Sequence, residues 1–464
     1  MAQGIRRTTA ANTAAIAILY FSLLVINLPG SAALAAGAFE PDRIILNLTE
    51  TPATSMAVTW RTAGKIKDPK AQITVAVAAP ALEENAWFVD AVTESVTLDN
   101  GKTVSAHSVI FKDLDPGTLY AYRVGGNDVW SEWNHFRTAS GEPAPFKFLY
   151  FGDPQNDIES MCSRVFRAAY SKAPDAAFWH FVGDIVNNGE NDSEWGEFYR
   201  SFGWISRSTP FMLLPGNHEY KKSPAPVAGQ KSGEEQKGLS RYWRPQFTLP
   251  LNGPEGLEET VYYYDYQGVR FIMLNGNEML EEQAKWIKKV LAANPQRWTI
   301  VAIHQPFYST GKNRDNIYHQ KLFTPIFDKY EVDLVLQGHD HCYSRLSDPA
   351  GKAAGEAGRA AGKPQGPVYL VSVAGTKQYG LNDRAGTQPD RVAEDTMLYQ
   401  TVDVTPDRLT VRAFTADGRL YDGFELVRTV RGKELRPLDT TLPPSRLCAQ
   451  GRNADGLPCS AKDR

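Results

Sequence analysis

The chain has 464 residues, too many for one ordinary hydrophobic core and enough for two domains with additional segments. Hydrophobic residues make up 42% of the sequence and charged residues 22%, which predicts a mostly globular protein. The net charge of −3 and the pI of about 6.3 exclude the strongly basic surface of a protein that binds nucleic acid or anionic membranes, so we expect a small-molecule partner.

The first 35 residues have the pattern of a secretory signal peptide. Arg6 and Arg7 precede an apolar segment over residues 14–28, and Ala33-Leu34-Ala35 supplies a small-residue cleavage site. The alternative is a membrane anchor, but the apolar segment is short for a full span. We therefore expect residues 1–35 to be removed, no stable membrane span in the mature chain, and a secreted or periplasmic location.

Residues 38–140 have the pattern of an all-β domain. Short alternating runs such as SMAVTWRT and LYAYRVGG are separated by turn signals at close intervals, which is typical of a β-sandwich. Trp60 and the later segment LDPGTLYAY resemble a fibronectin type III domain, with Trp60 in the core and Tyr120 as the tyrosine corner. Metal-binding residues do not cluster in this part of the sequence, so we expect a scaffold domain.

Residues 145–430 alternate strand-like runs with helical segments. Apolar spacing predicts helices over residues 158–170, 194–202, 280–291 and 321–330, and the alternation predicts a two-sheet α/β sandwich with helices layered on it. Residues 221–238 and 350–366 interrupt the pattern with charged or Gly- and Ala-rich sequence. We expect both to be loops at the rim of the site, either mobile connections or substrate-selecting lids.

Residues 431–464 form a polar C-terminal tail that contains two of the four cysteines. Cys448 and Cys459 are close in sequence, and an exported chain permits a disulfide between them. Cys162 and Cys342 lie in the second domain, and small buried apolar groups explain them as well as a disulfide does.

Five apolar runs of strand length each end on a side chain that can bind a metal ion. The runs end at Asp153, at Asp184, at Asn217 and His218, at His304, and at His339 and His341. Open α/β sheets gather their ligands at the carboxyl ends of strands, so we expect a metal cluster in which Asp184 bridges two ions. Two such ions lower the pKa of a bound water and neutralise a phosphoryl transition state, which predicts phosphate ester hydrolysis.

The series GD, GDxxN, GNHE, a strand-ending His and GHxH resembles the calcineurin-like metallophosphoesterase superfamily. The fibronectin-like domain followed by GNHE and GHDHxYxR resembles its purple acid phosphatase branch, over nearly the whole mature chain. The resemblance implies one metal ion on Asp153, Asp184 and His341, and a second ion on Asp184, Asn217, His304 and His339. It also implies that His218 orients phosphate and protonates the leaving oxygen, with a metal-bound hydroxide as the nucleophile.

Two positions depart from the family pattern. Purple acid phosphatases carry an iron-binding tyrosine three residues after the bridging aspartate, where this chain has Asn187. Other branches carry a histidine two residues after the first aspartate, where this chain has Gln155, whose amide oxygen is a weaker donor. We treat both as candidate ligands or neighbours of the first metal ion. We expect a colourless enzyme whose two ions are drawn from iron, zinc and manganese.

The sequence says less about substrate recognition than about the metal ligands. Lys312 and Arg314 follow His304 and are candidates to bind phosphate oxygens, and the alternative for both is a solvated loop. His319 is a weaker candidate for the same pocket.

Three functions fit these residues. The first is an exported dinuclear phosphatase that hydrolyses phosphate monoesters, and the second is a phosphodiesterase on the same fold. The third is a catalytically degenerate binding or surface protein that has lost the first metal ion. The presence of the complete set of candidate ligands together with His218 argues against that loss.

Overall fold

The computed structural model describes residues 37, 39–126, 128–221, 238–349, 366–382, 388–430 and 432–460. The predicted signal peptide lies outside these residues, as do residues 222–237 and 350–365 of the two predicted inserts. Within the described part of the chain, no helix combines the length and the apolar character needed to cross a membrane.

An all-β sandwich forms the first domain. Its strands are β1 (Asp42–Asn47), β2 (Met56–Thr62), β3 (Lys70–Val75), β4 (Trp87–Asp90), β5 (Val92–Thr97), β6 (Thr103–Phe111), β7 (Leu119–Gly126), β8 (Val129–Trp130) and β9 (Asn134–Arg137). One sheet has the order β1-β2-β6-β5 and the other β4-β3-β7-β8, with β9 paired to β7. Trp60 is buried in the core, and the Tyr120 hydroxyl accepts a hydrogen bond from Asp115 N at 2.9 Å, the contact expected of a tyrosine corner.

Two seven-stranded sheets form the second domain. The strands are β10 (Phe146–Phe151), β11 (Phe178–Phe181), β12 (Phe211–Leu213), β13 (Tyr262–Tyr266), β14 (Val269–Met273), β15 (Trp298–Ala302), β16 (Leu334–Gln337), β17 (Tyr343–Ser347), β18 (Val368–Val371), β19 (Arg391–Ala393), β20 (Leu398–Val404), β21 (Arg408–Thr415), β22 (Leu420–Thr429) and β23 (Gly432–Pro437). The sheet orders are β12-β11-β10-β20-β21-β22-β23 and β13-β14-β15-β16-β18-β17-β19. The predicted fold class, a two-sheet α/β sandwich behind an all-β domain, is confirmed.

The helices are α1 (Ser163–Lys172), α2 (Asp192–Phe202), α3 (Trp243–Gln246), α4 (Leu280–Ala292) and α5 (Ile317–Lys329). Three of the four predicted helices lie within a few residues of the observed bounds, but α1 is preceded by a π-helical turn, Ile158–Cys162, where a continuous helix was predicted. Helix α5 begins one turn before the predicted segment and contains Pro325. Its first two residues, Ile317 and Tyr318, are exposed and lie off the buried apolar face that defined the predicted segment.

Aromatic side chains fill the space between the two sheets. Phe148 of β10 stacks on Phe178 of β11, with ring centres 5.3 Å apart, and both rings meet Phe271 of β14 edge to face. Strands β10, β11 and β12 run parallel, as do β14, β15, β16 and β18. Because parallel strands end at one edge of a sheet, the turns after these strands collect at one end of the sandwich.

The first domain packs against the sheet that carries β11 and β12. Arg43 Nη1 lies 2.7 Å from Asp192 Oδ1 at the start of α2, and Asn47 Nδ2 donates to the carbonyl of Phe211 at 2.7 Å. The Tyr122 hydroxyl donates to the carbonyl of Arg207 at 2.7 Å. The all-β domain therefore contacts the start of α2 and the β12 edge of this sheet.

The C-terminal tail is joined to the second domain through a disulfide-closed loop. Cys448 and Cys459 form a disulfide, and Cys448 N donates to Glu394 Oε2 at 2.9 Å. Cys162 and Cys342 are free thiols, both buried. These two cysteines are therefore small buried groups in this fold.

Candidate metal centre

Two tight turns after β10 and β11 present the first pair of carboxylates. Asp153 and Asp184 have φ angles of 46° and 47°, in the left-handed region that few residues with a side chain adopt. Gly183, with φ of 86°, makes the second turn tight enough for a close approach, because a Cβ at this position would lie 2.5 Å from Gly216 N. Both carboxylates are buried. Such conformations persist where the surrounding structure enforces them, as it does at functional sites.

The turns after β15 and β16 bring imidazoles to these carboxylates. Two groups of side chains have ligand atoms that all lie within 4.8 Å of one another: Asp184, His304 and His339, and Asp153, Asp184 and His341. Asp184 belongs to both groups, which is the arrangement expected of a bridging carboxylate. His304 Nε2 lies 3.2 Å from Asp184 Oδ2, and His341 Nε2 lies 3.7 Å from Asp153 Oδ1.

Backbone carbonyls determine which nitrogen each histidine offers. His304 Nδ1 donates to the carbonyl of Val182 at 2.8 Å, and His341 Nδ1 donates to the carbonyl of Lys377 at 2.9 Å. A neutral imidazole with its proton on Nδ1 has a lone pair on Nε2, and both Nε2 atoms face the carboxylates. Metal-binding histidines are oriented in this way by their second nitrogen.

The buried carboxylates favour a positive charge beside them. Burial raises the pKa of Asp153 to about 8, and Asp153 Oδ1 has no hydrogen-bond partner among the described residues. Burial would lower the pKa of His304, but the carboxylates of Asp184 and Asp153 outweigh it and raise the pKa to about 9. Carboxylate oxygens and imidazole nitrogens around a shared aspartate suit a pair of ions such as iron, zinc or manganese. The residues therefore fit a dinuclear centre.

Gln155 lies inside this cluster, whereas Asn187 contacts it through its backbone. Gln155 Nε2 donates to Asp184 Oδ2 at 2.9 Å and lies 3.2 Å from His341 Nε2. Gln155 Oε1 is buried and has no partner among the described residues. The carbonyl of Asn187 accepts a hydrogen bond from His218 Nδ1. The two sequence departures thus have different consequences, because one places an amide among the ligands and the other orients a histidine.

Asn217 and His218 begin a short 3₁₀ helix, Asn217–Glu219, beside Asp184. His218 N donates to Asp184 Oδ1 at 2.9 Å, and His218 Nε2 lies 3.9 Å from Asp184 Oδ2. Asn217 is exposed, and the contacts of the described residues do not join its side chain to the cluster. The structure thus gathers Asp153, Asp184, His304, His339 and His341, and leaves Asn217 at the edge.

Two buried carboxylates in the same motifs accept hydrogen bonds from the backbone of turns around the site. Glu219, at the end of GNHE, accepts hydrogen bonds from four backbone N–H groups, those of Asp184, Ile185, Val186 and Gly216. Asp340, inside GHDH, accepts from Thr310 N at 2.7 Å and Gly311 N at 2.8 Å. Sequence reasoning did not assign these roles, although the position of both acids within the motifs was a signal.

A cavity of about 380 Å³ lies next to His339 and is lined by the loop after β15. Arg314 lines it, contacts His339 Nε2 and stacks over the Tyr379 ring, with Cζ 4.8 Å from the ring centre. Lys312 lines the same cavity, and its backbone N donates to the carbonyl of Gly380 at 2.8 Å. His319 Nε2 instead donates to the carbonyl of Gly276 at 2.8 Å, which holds it to a backbone loop.

Comparisons with known proteins agree with this geometry. The N-terminal domain of purple acid phosphatases matches residues 41–138, and the calcineurin-like phosphoesterase domain matches residues 146–343. The fold and the matched domains define a metal-dependent phosphoric ester hydrolase. The chain belongs to the calcineurin-like metallophosphoesterase superfamily, in its purple acid phosphatase-like branch.

Individual relatives show how far the similarity extends. Acid phosphatase type 7 of Homo sapiens is 26% identical over 386 residues, covering 76% of this chain and 82% of that protein. Probable purple acid phosphatase 20 of Arabidopsis thaliana is 26% identical over 252 residues, covering 52% of this chain and 55% of that protein.

Two solved structures share the fold at low sequence identity. The purple acid phosphatase PPD1 from yellow lupin (Lupinus luteus) seeds is 19% identical with a TM-score of 0.68, covering 85% of this chain and 75% of that one. The structure of PhoD is 13% identical with a TM-score of 0.60, covering 88% of this chain and 94% of that one.

Proposed function

We propose that this chain is an exported phosphatase that hydrolyses phosphate monoesters at a dinuclear metal centre. Asp153, Asp184 and His341 would hold one ion, and Asp184, His304 and His339 the other. Asn217, which is exposed beside Asp184, is proposed to complete the second set. The observation that carries the proposal is the sharing of Asp184 by two groups of converging ligand atoms. The acid phosphatases among the relatives support the same reaction class.

Two bound metal ions would supply an activated water and neutralise charge on the reacting phosphate. The residues of the chain do the rest. His218 Nδ1 is fixed on the carbonyl of Asn187, so Nε2 faces the space beside Asp184. A proton on that nitrogen is positioned for transfer to the leaving oxygen, which is the general-acid role proposed for His218.

Gln155 is the proposed substitute for the missing tyrosine or histidine ligand. Its carboxamide lies between Asp184 and His341, and a rotation by half a turn about its last bond would direct Oε1 toward them. An amide oxygen gives no phenolate charge-transfer band and favours a less selective site. We expect a colourless protein with manganese, iron(II) or zinc in the first site, and an absorption spectrum of the purified protein checks this.

The deciding experiment is elemental analysis of the purified protein, followed by assays with the metals found. Turnover of 4-nitrophenyl phosphate well above that of bis(4-nitrophenyl) phosphate supports the monoesterase, whereas the opposite order favours the phosphodiesterase. One ion or none per chain, with no turnover in any added metal, would favour the degenerate binding protein. Export is tested by fractionating cells that express the chain with and without residues 1–35.

A further inference from the structure

The segment after β18 carries Lys377, and its backbone is attached to two ligand-bearing turns. Gly375 N donates to the carbonyl of Asp153 at 3.0 Å. The carbonyl of Lys377 accepts the hydrogen bond from His341 Nδ1 at 2.9 Å, and Tyr379 N donates to the carbonyl of His341 at 3.0 Å. The backbone position of Lys377 is therefore set by residues of the candidate metal centre.

The Lys377 side chain extends toward His218. Its Nζ lies 3.4 Å from His218 Nε2 and 5.7 Å from the centre of the Tyr379 ring. The Arg314 guanidinium packs on the same ring, with Cζ 4.8 Å from its centre, and contacts His339 Nε2. The Tyr379 ring thus holds two cations, one beside His218 and one beside His339, through cation–π contacts.

Among the described residues neither cation has an acid within ion-pair distance, although the Arg314 charge opposes the burial that raises the pKa of Asp153 and of Asp340. The Arg314 cavity has a volume of about 380 Å³ and opens beside the candidate metal centre. Unpaired cations at such a position suit an anion with several charged oxygens, because charge-assisted hydrogen bonds are the strong ones.

We propose that Lys377 and Arg314 bind non-bridging oxygens of a phosphate monoester dianion, Lys377 on the His218 side and Arg314 on the His339 side. A diester has one charged oxygen fewer and places an ester group where one of the cations would bind. The pair of cations therefore selects monoesters over diesters. The inference rests on the proposed function and adds Lys377, which no sequence motif singled out.

The test compares Lys377→Met and Lys377→Arg with the wild type. Lys285→Met, at an exposed position of α4, provides the matched control. Elemental analysis reports the metal content, titration calorimetry with inorganic phosphate reports binding, and the two nitrophenyl esters report kcat and KM. Loss of a hydrogen bond to a charged group predicts that Lys377→Met weakens phosphate binding and raises KM for the monoester by about tenfold to a hundredfold. We expect an unchanged metal content, a much smaller effect on the diester, partial recovery in Lys377→Arg, and wild-type values in the control.

The proposal is overturned if Lys377→Met binds phosphate as the wild type does, or if monoester and diester turnover fall equally. If Lys377→Met loses its metal ions, the test uses Lys377→Arg. The proposal is then contradicted if Lys377→Arg binds phosphate as weakly as Lys377→Met does and still discriminates between the two esters as the wild type does. Failure of the proposed function is a separate result, since it requires that the metal-loaded wild type hydrolyses no phosphate ester. Phosphate titration still compares the variants in that case.

Discussion

Replacing Glu219 by glutamine tests whether the buried carboxylate maintains the turn that carries Asp184. Glu219 Oε2 accepts from Asp184 N at 2.9 Å and Gly216 N at 2.7 Å, and Oε1 accepts from the next two backbone N–H groups, at 2.8 and 3.2 Å. A glutamine has only one acceptor oxygen, so two buried N–H groups lose their partner in either orientation. At about 1–3 kcal/mol for each group, the cost is roughly 2–6 kcal/mol.

Removal of a buried charge offsets part of this cost, because burial and the nearby Asp184 already raise the pKa of Glu219 to about 7. We therefore expect a net loss of about 2–3 kcal/mol in the free energy of unfolding, at the lower end of the range. The Asp184 turn should also bind metal less well. Urea denaturation of the full chain followed by tryptophan fluorescence measures the first effect, and elemental analysis measures the second.

Glu194→Gln is the matched control, because its two backbone bonds share one oxygen. Glu194 Oε2 accepts from Asn187 N at 2.7 Å and Asn188 N at 2.9 Å, while Oε1 accepts, among the described residues, the side chain of Asn191 alone. A glutamine with its oxygen in the Oε2 position keeps both backbone bonds, so we expect a loss below about 1 kcal/mol. Equal destabilisation of the two variants, or wild-type stability and metal content in Glu219→Gln, would refute the reasoning.

Three further predictions concern the centre and the core. Asp184→Ala should lose metal and activity together, whereas His218→Ala should keep its ions and lose about a hundredfold or more in turnover; unchanged turnover would contradict the general-acid role. Gln155→His should add an imidazole ligand and slow the loss of metal to a chelator, and an unchanged rate would show that residue 155 does not bind the metal. His180 is buried without a partner for either ring nitrogen among the described residues, and burial lowers its pKa from 6.5 to about 3. The unfolded chain therefore binds the proton more tightly, so the free energy of unfolding falls as the pH drops below 6.5, by about 2 kcal/mol at pH 5. Urea denaturation at pH 7.5 and pH 5 measures this loss, which should be smaller in His180→Leu. A loss of the same size in His180→Leu would assign it to other groups.

Much of the site was predictable because its signals are local. An apolar run of strand length that stops on Asp184 or His304 is visible in a few consecutive residues, and the parallel-sheet rule brings such strand ends together. The same reasoning applied to Asn217, whose turn is held beside Asp184 by the hydrogen bond from His218 N to Asp184 Oδ1, but Asn217 itself is exposed. A motif thus predicts where a turn lies, whereas side-chain direction depends on the packing around it.

The choice between Arg314 and Lys312 was not predictable from the sequence. Both cations lie in one loop with similar surroundings in the chain, yet Arg314 contacts His339 and the Tyr379 ring. Tyr379 comes from the segment after β18, far along the sequence. No local pattern reports that these two segments meet.

By itself, the sequence determined the two-domain organisation, the α/β alternation and the identity of the acids and histidines at the strand ends, because periodicity and turn chemistry are properties of neighbouring residues. Tertiary structure alone decided that Glu219 holds the Asp184 turn, that Gln155 lies among the ligands, and that Lys377 meets His218. These contacts join segments separated by tens to hundreds of residues. Their geometry follows from the pairing of distant strands and the packing of two sheets, which no short stretch of sequence encodes.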